Sequence, residues 1–231
     1  MIVSVHQPNF APWLGFYDKM ARCDVFVLLD TVQFVKRGYQ NRALVKGADG
    51  PRWLTIPVLK KGRRYQSTRH VEFDGTTDWR TTHFGTIRHL LGKAPHCAEL
   101  LGCVQPVYDR LDIRTLAEFN TALIRETVAR LGIRTRLLLA SELGCAGSAT
   151  RLMVNLTKAV GGDVYLSGPS GRRYLEPEMF ATQRLELRYH EFAPFAYRQR
   201  FGAFTPGLSS FDYLANVGFH RWPAAVAAPH P

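Results

Sequence analysis

A chain of 231 residues that is 46% hydrophobic and 12% aromatic can build a sizeable core in one large or two small domains, which speaks against a disordered protein. Its formal charge of +11 fits a phosphate-bearing partner and equally a plain solvated basic surface, and no RNA- or DNA-binding signature accompanies it, so no DNA partner is expected. No apolar run is long enough to span a bilayer, and Met1-Ile2-Val3 enters an apolar run with no basic region before it, so neither a membrane span nor a signal peptide is expected. The four cysteines, Cys23, Cys97, Cys103 and Cys145, form no CxxC pair. That speaks against a zinc ribbon and for reduced thiols in a cytoplasmic protein.

Val3-Ser4-Val5 reads as a buried strand that breaks into a loop carrying His6, Gln7, Asn9 and two prolines. Residues 14–22 have apolar side chains at helical spacing. Pro12 stands near that helix start, where a missing N–H costs nothing. Asp18 in this helix reads as a surface or capping residue. A second apolar run, 25–29, ends at Asp30. Strand, polar loop, helix and strand make a βαβ unit, whose loop lies at the carboxyl end of the first strand, where open α/β sheets bind ligands. Residues 31–42 read as a long polar loop, a type that more often carries function than packing. Runs 41–45 and 53–58 flank residues 47–51, a hairpin signal around an Asp-Gly turn, and Pro57 marks an edge or strand end. The basic turn 60–64 is an exposed loop or a lid over an anionic ligand.

Asp78 is placed to cap a helix through Leu91. Residues 106–131 read as mainly helical, with Gly132 as the stop. These helices are read as packing elements. The α/β pattern then returns: a strand at 135–140 ending at Ser141, a helix from a Ser148 cap to Val160, and strands at 163–166 and 185–189. A helix follows near 210–216, and the Ala- and Pro-rich end, 223–231, is expected to fray. Two strands at the start and three at the end, each joined through helix, assemble most simply into one doubly wound, mainly parallel sheet with helices on both faces. That is an α/β fold of Rossmann-like type, with about five strands. The chain 1–231 then forms a single α/β domain, with 41–132 as an inserted hairpin and helices.

The candidate chemistry lies in three loops. His6 could act as acid or base, contact a phosphate, or cap backbone groups. Gln7 and Asn9 beside it could orient a substrate. Asp30 could contact a metal-bound water or a ribose, or cap a helix. Lys36 and Arg42 could neutralise an anionic group. Ser167-Gly168-Pro169-Ser170-Gly171 could hold an anion on free N–H groups, with Arg172 adding charge, although an ordinary tight turn explains the same residues. It has neither Walker A nor GxGxxG spacing. Trp13, Gln33, Asn41 and Tyr174 complete the candidate substrate contacts, with His6, Gln7 and Asp30 as the catalytic candidates. No HxxxH or HExxH spacing occurs, so no protein-built metal site is expected. Cys145 has no companion histidine to activate it.

His6-Gln7-Pro8-Asn9-Phe10-x-Pro12-Trp13-Leu14-Gly15-Phe16, Asp30-x-Val32-Gln33-Phe34-x-Lys36-Arg37, Asn41-Arg42, Trp53-Leu54-Thr55-Ile56-Pro57-Val58, Tyr165-Leu166-Ser167-Gly168 and Asp212-x-Leu214-x-Asn216-x-Gly218 resemble the WbqC-like family, in order along nearly the whole chain. The resemblance implies a bacterial protein whose relatives belong to polysaccharide (O-antigen) or other biosynthetic clusters. A more remote similarity places Pro12-Trp13-Leu14-Gly15-Phe16 where nucleotidyltransferases and class I aminoacyl-tRNA synthetases carry HxGH. The glycine matches, but Trp13 and Phe16 replace the histidines, leaving His6 nearest to substitute. The expected activity is a transferase or ligase attaching an amino or acyl group to a small acceptor such as an amino-sugar nucleotide. Two alternatives stand beside it: an aminoacyl-tRNA-dependent amide-forming transferase, with tRNA as partner, and a non-enzymatic ligand-binding or assembly protein. ATP or another nucleotide is the candidate cofactor.

Overall fold

The computed structural model describes residues 1–63, 65–220 and 222; Arg64 of the basic turn and the end expected to fray, 223–231, lie outside the described residues. Strand β1 (Ile2–His6) leads through helix α1 (Leu14–Ala21) to β2 (Val25–Leu28), the expected βαβ unit. A hairpin, β3 (Arg42–Gly47) and β4 (Gly50–Thr55), and helices α2 (Trp79–Leu91), α3 (Cys97–Tyr108) and α4 (Leu116–Leu131) separate β2 from β5 (Arg136–Leu139). Helix α5 (Ala149–Ala159), β6 (Val164–Ser167), α6 (Pro177–Thr182), β7 (Glu186–Tyr189) and α7 (Ser210–Val217) complete the chain.

The five sheet strands are parallel and lie in the order β5-β2-β1-β6-β7. The chain therefore starts at the centre, winds outward to one side, and crosses back to wind outward to the other. Side chains alternate between faces. Val3, Val5, Val25, Val27 and Tyr165 pack with Leu152 and Leu156 of α5 and Phe180 of α6. On the opposite face Phe26 and Leu28 meet Phe16, Tyr17 and Met20 of α1 and Ile124 and Val128 of α4. Full burial of a side chain such as Phe26 or Leu28 contributes roughly 1.5–3 kcal/mol. A third cluster joins the hairpin to α2, α3, α4 and α7 through Ile56, Leu100, Phe119 and Phe211.

Several local readings need correction. The hairpin turns on Ala48-Asp49, with Gly47 opposite Gly50. Asp-Gly thus straddles the turn's end, and Gly50 takes the left-handed φ of 111°. The helix expected over 106–131 is two helices. Pro106 sits in the last turn of α3, and α4 starts afresh at a capping box, in which Glu118 N donates to Thr115 Oγ1 (3.3 Å) and Thr115 N to Glu118 Oε2 (3.0 Å). Ser148 stands at the α5 N-cap but makes no capping bond with its side chain. Helix α6 has six residues, too few to leave a periodic signal.

Candidate functional site

Strands β1 and β6 are neighbours, with Val3 beside Tyr165, and they end at His6 and Ser167. Helix α1 covers one face of the sheet and α5 the other. The pair is therefore the topological switch point, where diverging connections leave a crevice. The two loops singled out in the sequence both leave the sheet at this rim.

A hollow of about 510 Å³ opens at the end of β1, lined by His6, Gln7, Asn9, Trp13, Tyr39 and Ser209 among others. Its walls are tied together by bonds from distant segments. Asn120 of α4, fully buried, donates from Nδ2 to Pro8 O (2.8 Å) and Gln40 O (2.7 Å). Phe10 N donates to Tyr39 O at 3.0 Å. At the start of α7, Ser209 Oγ donates to Ala11 O (2.8 Å) and Ser210 N to Pro12 O (2.9 Å). Ala11 takes a positive φ of 38°, a strained conformation for a residue with a Cβ, held by these contacts. Trp13 and Tyr39, 38% and 58% exposed, offer aromatic surface to a ligand.

His6 places its Nδ1 3.0 Å from Gln7 O, and its ring meets Phe16 edge-on. A carbonyl only accepts, so Nδ1 carries the proton and Nε2 is left as an acceptor. Burial, reinforced by the positive charge of Lys19, pushes the His6 pKa down to about 3. The ring is neutral throughout the physiological range. Lys19 is itself buried, donates to Val5 O at 3.2 Å, and is pushed down to about 8 by desolvation.

Asp18 is no surface residue. It is 2% exposed and lies 2.5 Å from His190 Nε2, with Arg22 Nε donating to it at 2.7 Å. Burial opposes its ionisation, but these bonds outweigh burial and hold the carboxyl below its usual range. His190 follows β7, and its N–H donates to Ser167 O at 2.8 Å, so this buried pair fixes α1 against the rim. Asn120, Asp18 and His190 escaped the sequence reading. Their partners lie far away in sequence, and a helical Asn or Asp leaves no pattern distinguishing clamp from surface.

Asp30, 3% exposed, belongs to a second hollow of about 960 Å³ at the ends of β2 and β5. Its Oδ1 accepts from Ser141 N at 3.0 Å. Arg69, Arg110, Arg125 and Glu126 line the same hollow, as does Thr121, whose buried hydroxyl has no protein partner. The remaining candidates disperse. Gln33 pairs through its backbone with Ser67, and Lys36 is exposed in the loop. Asn41 is buried and donates from Nδ2 to Ile56 O at 2.9 Å, a latch at the hairpin base. Arg42 stacks its guanidinium 3.9 Å from the Trp53 ring centre. Ser167 is buried, and Pro169–Arg173 form a single 3-10 turn rather than an open loop. Gly171 packs against Ser167, Oγ of which lies 2.0 Å from where a Cβ would stand. Ser170 is exposed, Arg172 pairs with Glu191 at 3.1 Å, and Tyr174 is 55% exposed. Residues 167–174, Gly168 included, share the rim but line neither hollow. Among the sequence candidates, the first hollow thus gathers His6, Gln7, Asn9 and Trp13, and the second Asp30.

Fold and rim define a doubly wound α/β protein with hollows of ligand size at the carboxyl ends of its strands. The chain belongs to the WbqC-like protein family, whose model matches residues 7–222. It is 33% identical over 217 residues to the uncharacterized protein Rv1507c of Mycobacterium tuberculosis, covering 94% of each chain. No solved structure matches it. No helix among the described residues is long and apolar enough to cross a membrane.

Proposed function

We propose that this protein is a biosynthetic transferase or ligase that attaches an amino or acyl group to a small acceptor such as a nucleotide-linked amino sugar. The observation supporting this most strongly is the pair of hollows at one carboxyl rim: one aromatic-walled around a neutral histidine, the other charged around a buried carboxylate. A ring as hard to charge as His6 accepts a hydrogen bond at Nε2 without taking the proton outright, which suits orienting an amine or hydroxyl for attack. Gln7 and Asn9 supply amide donors and acceptors beside it, and Trp13 and Tyr39 supply stacking faces for a sugar or base. In the second hollow Asp30 suits ribose hydroxyls or an amine, and Arg69, Arg110 and Arg125 suit phosphate oxygens. Lys36 and Arg42 add positive charge on the hairpin side.

Isothermal titration against ATP, nucleotide sugars and aminoacyl-tRNA tests the reading. Binding of at least one, weakened by Trp13→Ala, is expected; no binding to any of them overturns it. The charge of +11 supports a variant in which the activated group arrives on tRNA. Affinity for aminoacyl-tRNA then falls steeply with salt, and a shallow dependence removes that variant.

A further inference from the structure

His96 stands immediately before α3, and Glu99 lies in the first turn of that helix. His220 comes from the segment after α7. The fold brings the three together: His96 Nδ1 lies 2.7 Å from Glu99 Oε1, His220 Nε2 lies 3.9 Å from Glu99 Oε2, and the imidazole centres are 5.8 Å apart. One donor atom from each falls within 4.8 Å of the other two, the one such group of His, Cys, Asp or Glu among the described residues.

The place of the His96 ring is built by both helices. His96 N donates to Ala215 O of α7 at 2.8 Å. The ring then packs over Gly218, where a Cβ would stand only 3.0 Å from Nδ1 and where φ is 92°. A glycine at 218 satisfies both the left-handed turn and the space the ring occupies. None of the three residues lines either hollow, so the cluster is separate from the site proposed above.

We propose that His96, Glu99 and His220 bind a divalent transition metal of the zinc type, clamping the segment after α7 onto the start of α3. Two imidazole nitrogens and a carboxylate oxygen form a donor set suited to zinc, whereas magnesium and calcium take oxygen ligands. Tetrahedral zinc with ligand bonds of about 2.0–2.1 Å holds its donors roughly 3.3 Å apart. The 3.9 Å gap to His220 closes by rotation of a side chain that is 68% exposed. The contact between His96 Nδ1 and Glu99 Oε1 gives way when a metal takes both atoms, with release of the proton between them. Arg130 also acts on Glu99, but its guanidinium is engaged with Gly102 O at 3.0 Å. Three protein ligands leave one position for water. His96 and His220 come from distant parts of the chain, which is why no spacing motif marks them.

The test uses the untagged full-length chain, stripped with a chelator and titrated with zinc chloride by calorimetry, with thermal unfolding followed in parallel. One equivalent of zinc binds, Tm rises with zinc concentration, and magnesium produces neither effect. His220→Ala, at a position 68% exposed, weakens zinc binding at least about tenfold, as does Glu99→Gln. No saturable zinc binding, or His220→Ala binding zinc as the parent does, overturns the proposal. So does abolition of binding by Cys145→Ser instead.

Discussion

Replacing Asn120 with aspartate keeps the side chain's size and reverses its role at the wall of the first hollow. The native amide donates to two buried carbonyls, Pro8 O and Gln40 O, and its own Oδ1 has no protein partner. An ionised carboxylate there would face two carbonyl oxygens from a fully buried position, so the acid stays protonated in the folded chain. Holding a carboxyl with an ordinary pKa near 3.9 neutral at pH 7 costs about 4 kcal/mol. The single O–H then serves one carbonyl, and the other loses its partner for about 1–3 kcal/mol. The variant should be destabilised by roughly 5–7 kcal/mol at pH 7. Because the folded variant binds a proton that the unfolded chain releases, the deficit shrinks as pH falls, by about 1.4 kcal/mol per unit down to about pH 4. Urea unfolding of both proteins at pH 7, 6 and 5 reads this directly from midpoints at constant m. Asn120→Leu leaves both carbonyls without this partner and should cost about 2–6 kcal/mol with no pH dependence. A deficit for Asn120→Asp below about 1 kcal/mol, or one flat with pH, would refute the clamp.

Four further outcomes follow from the buried charges and the hollow. His6 should remain neutral, with the proton on Nδ1, at pH 5 in 15N-edited imidazole spectra; titration near 6.5 would contradict its burial. Lys19 is held near 8 against an ordinary 10.5, so the unfolded chain binds the extra proton between these values and stability rises with pH across that window. Lys19→Met abolishes the rise, and an unchanged alkaline limb in that variant would count against it. Asp18→Asn should lose about 2–3 kcal/mol at pH 7 by weakening the bonds to His190 and Arg22. The folded carboxyl titrates below its unfolded value, so that contribution is present at neutral pH and disappears as pH drops below the ordinary carboxylate range; parent and variant should converge there in urea midpoints. Tyr39→Ala, at a 58% exposed position, should leave stability nearly unchanged and weaken nucleotide-sugar binding by about tenfold through lost stacking; unchanged affinity would move the ligand elsewhere.

The fold was legible where hydrophobic periodicity and punctuation agree. The runs Val3-Ser4-Val5 and Val25–Leu28 are short, apolar and bounded by polar loops, and they became adjacent parallel strands. The return of strand and helix after Gly132 correctly implied a doubly wound sheet. What periodicity could not show was length without amphipathic contrast, as in α6, or a helix break marked only by Thr115 and Glu118. The rim was legible for a related reason: parallel strands deliver their loops to one end, so His6 and Ser167 had to share it once β1 and β6 were neighbours. Which side chains line a common hollow depends instead on tertiary clamps. Asn120 reaches back across more than a hundred residues to Pro8, and His190 even farther to Asp18. Such pairs have no spacing to read. Asn41, a polar residue in the same loop, turns out to latch the hairpin base through Nδ2 while its Oδ1 has no protein partner, a division of roles that no spacing shows.

The most direct test is a crystal structure of the full chain grown with a nucleotide-linked amino sugar. Ligand density should fill the hollow bounded by His6, Gln7, Asn9 and Trp13, with a ring against Tyr39 or Trp13 and a polar group within hydrogen-bond distance of His6 Nε2. Density confined to any other surface, with the two carboxyl-rim hollows holding only water, would contradict the placement of the site and the transfer chemistry built upon it.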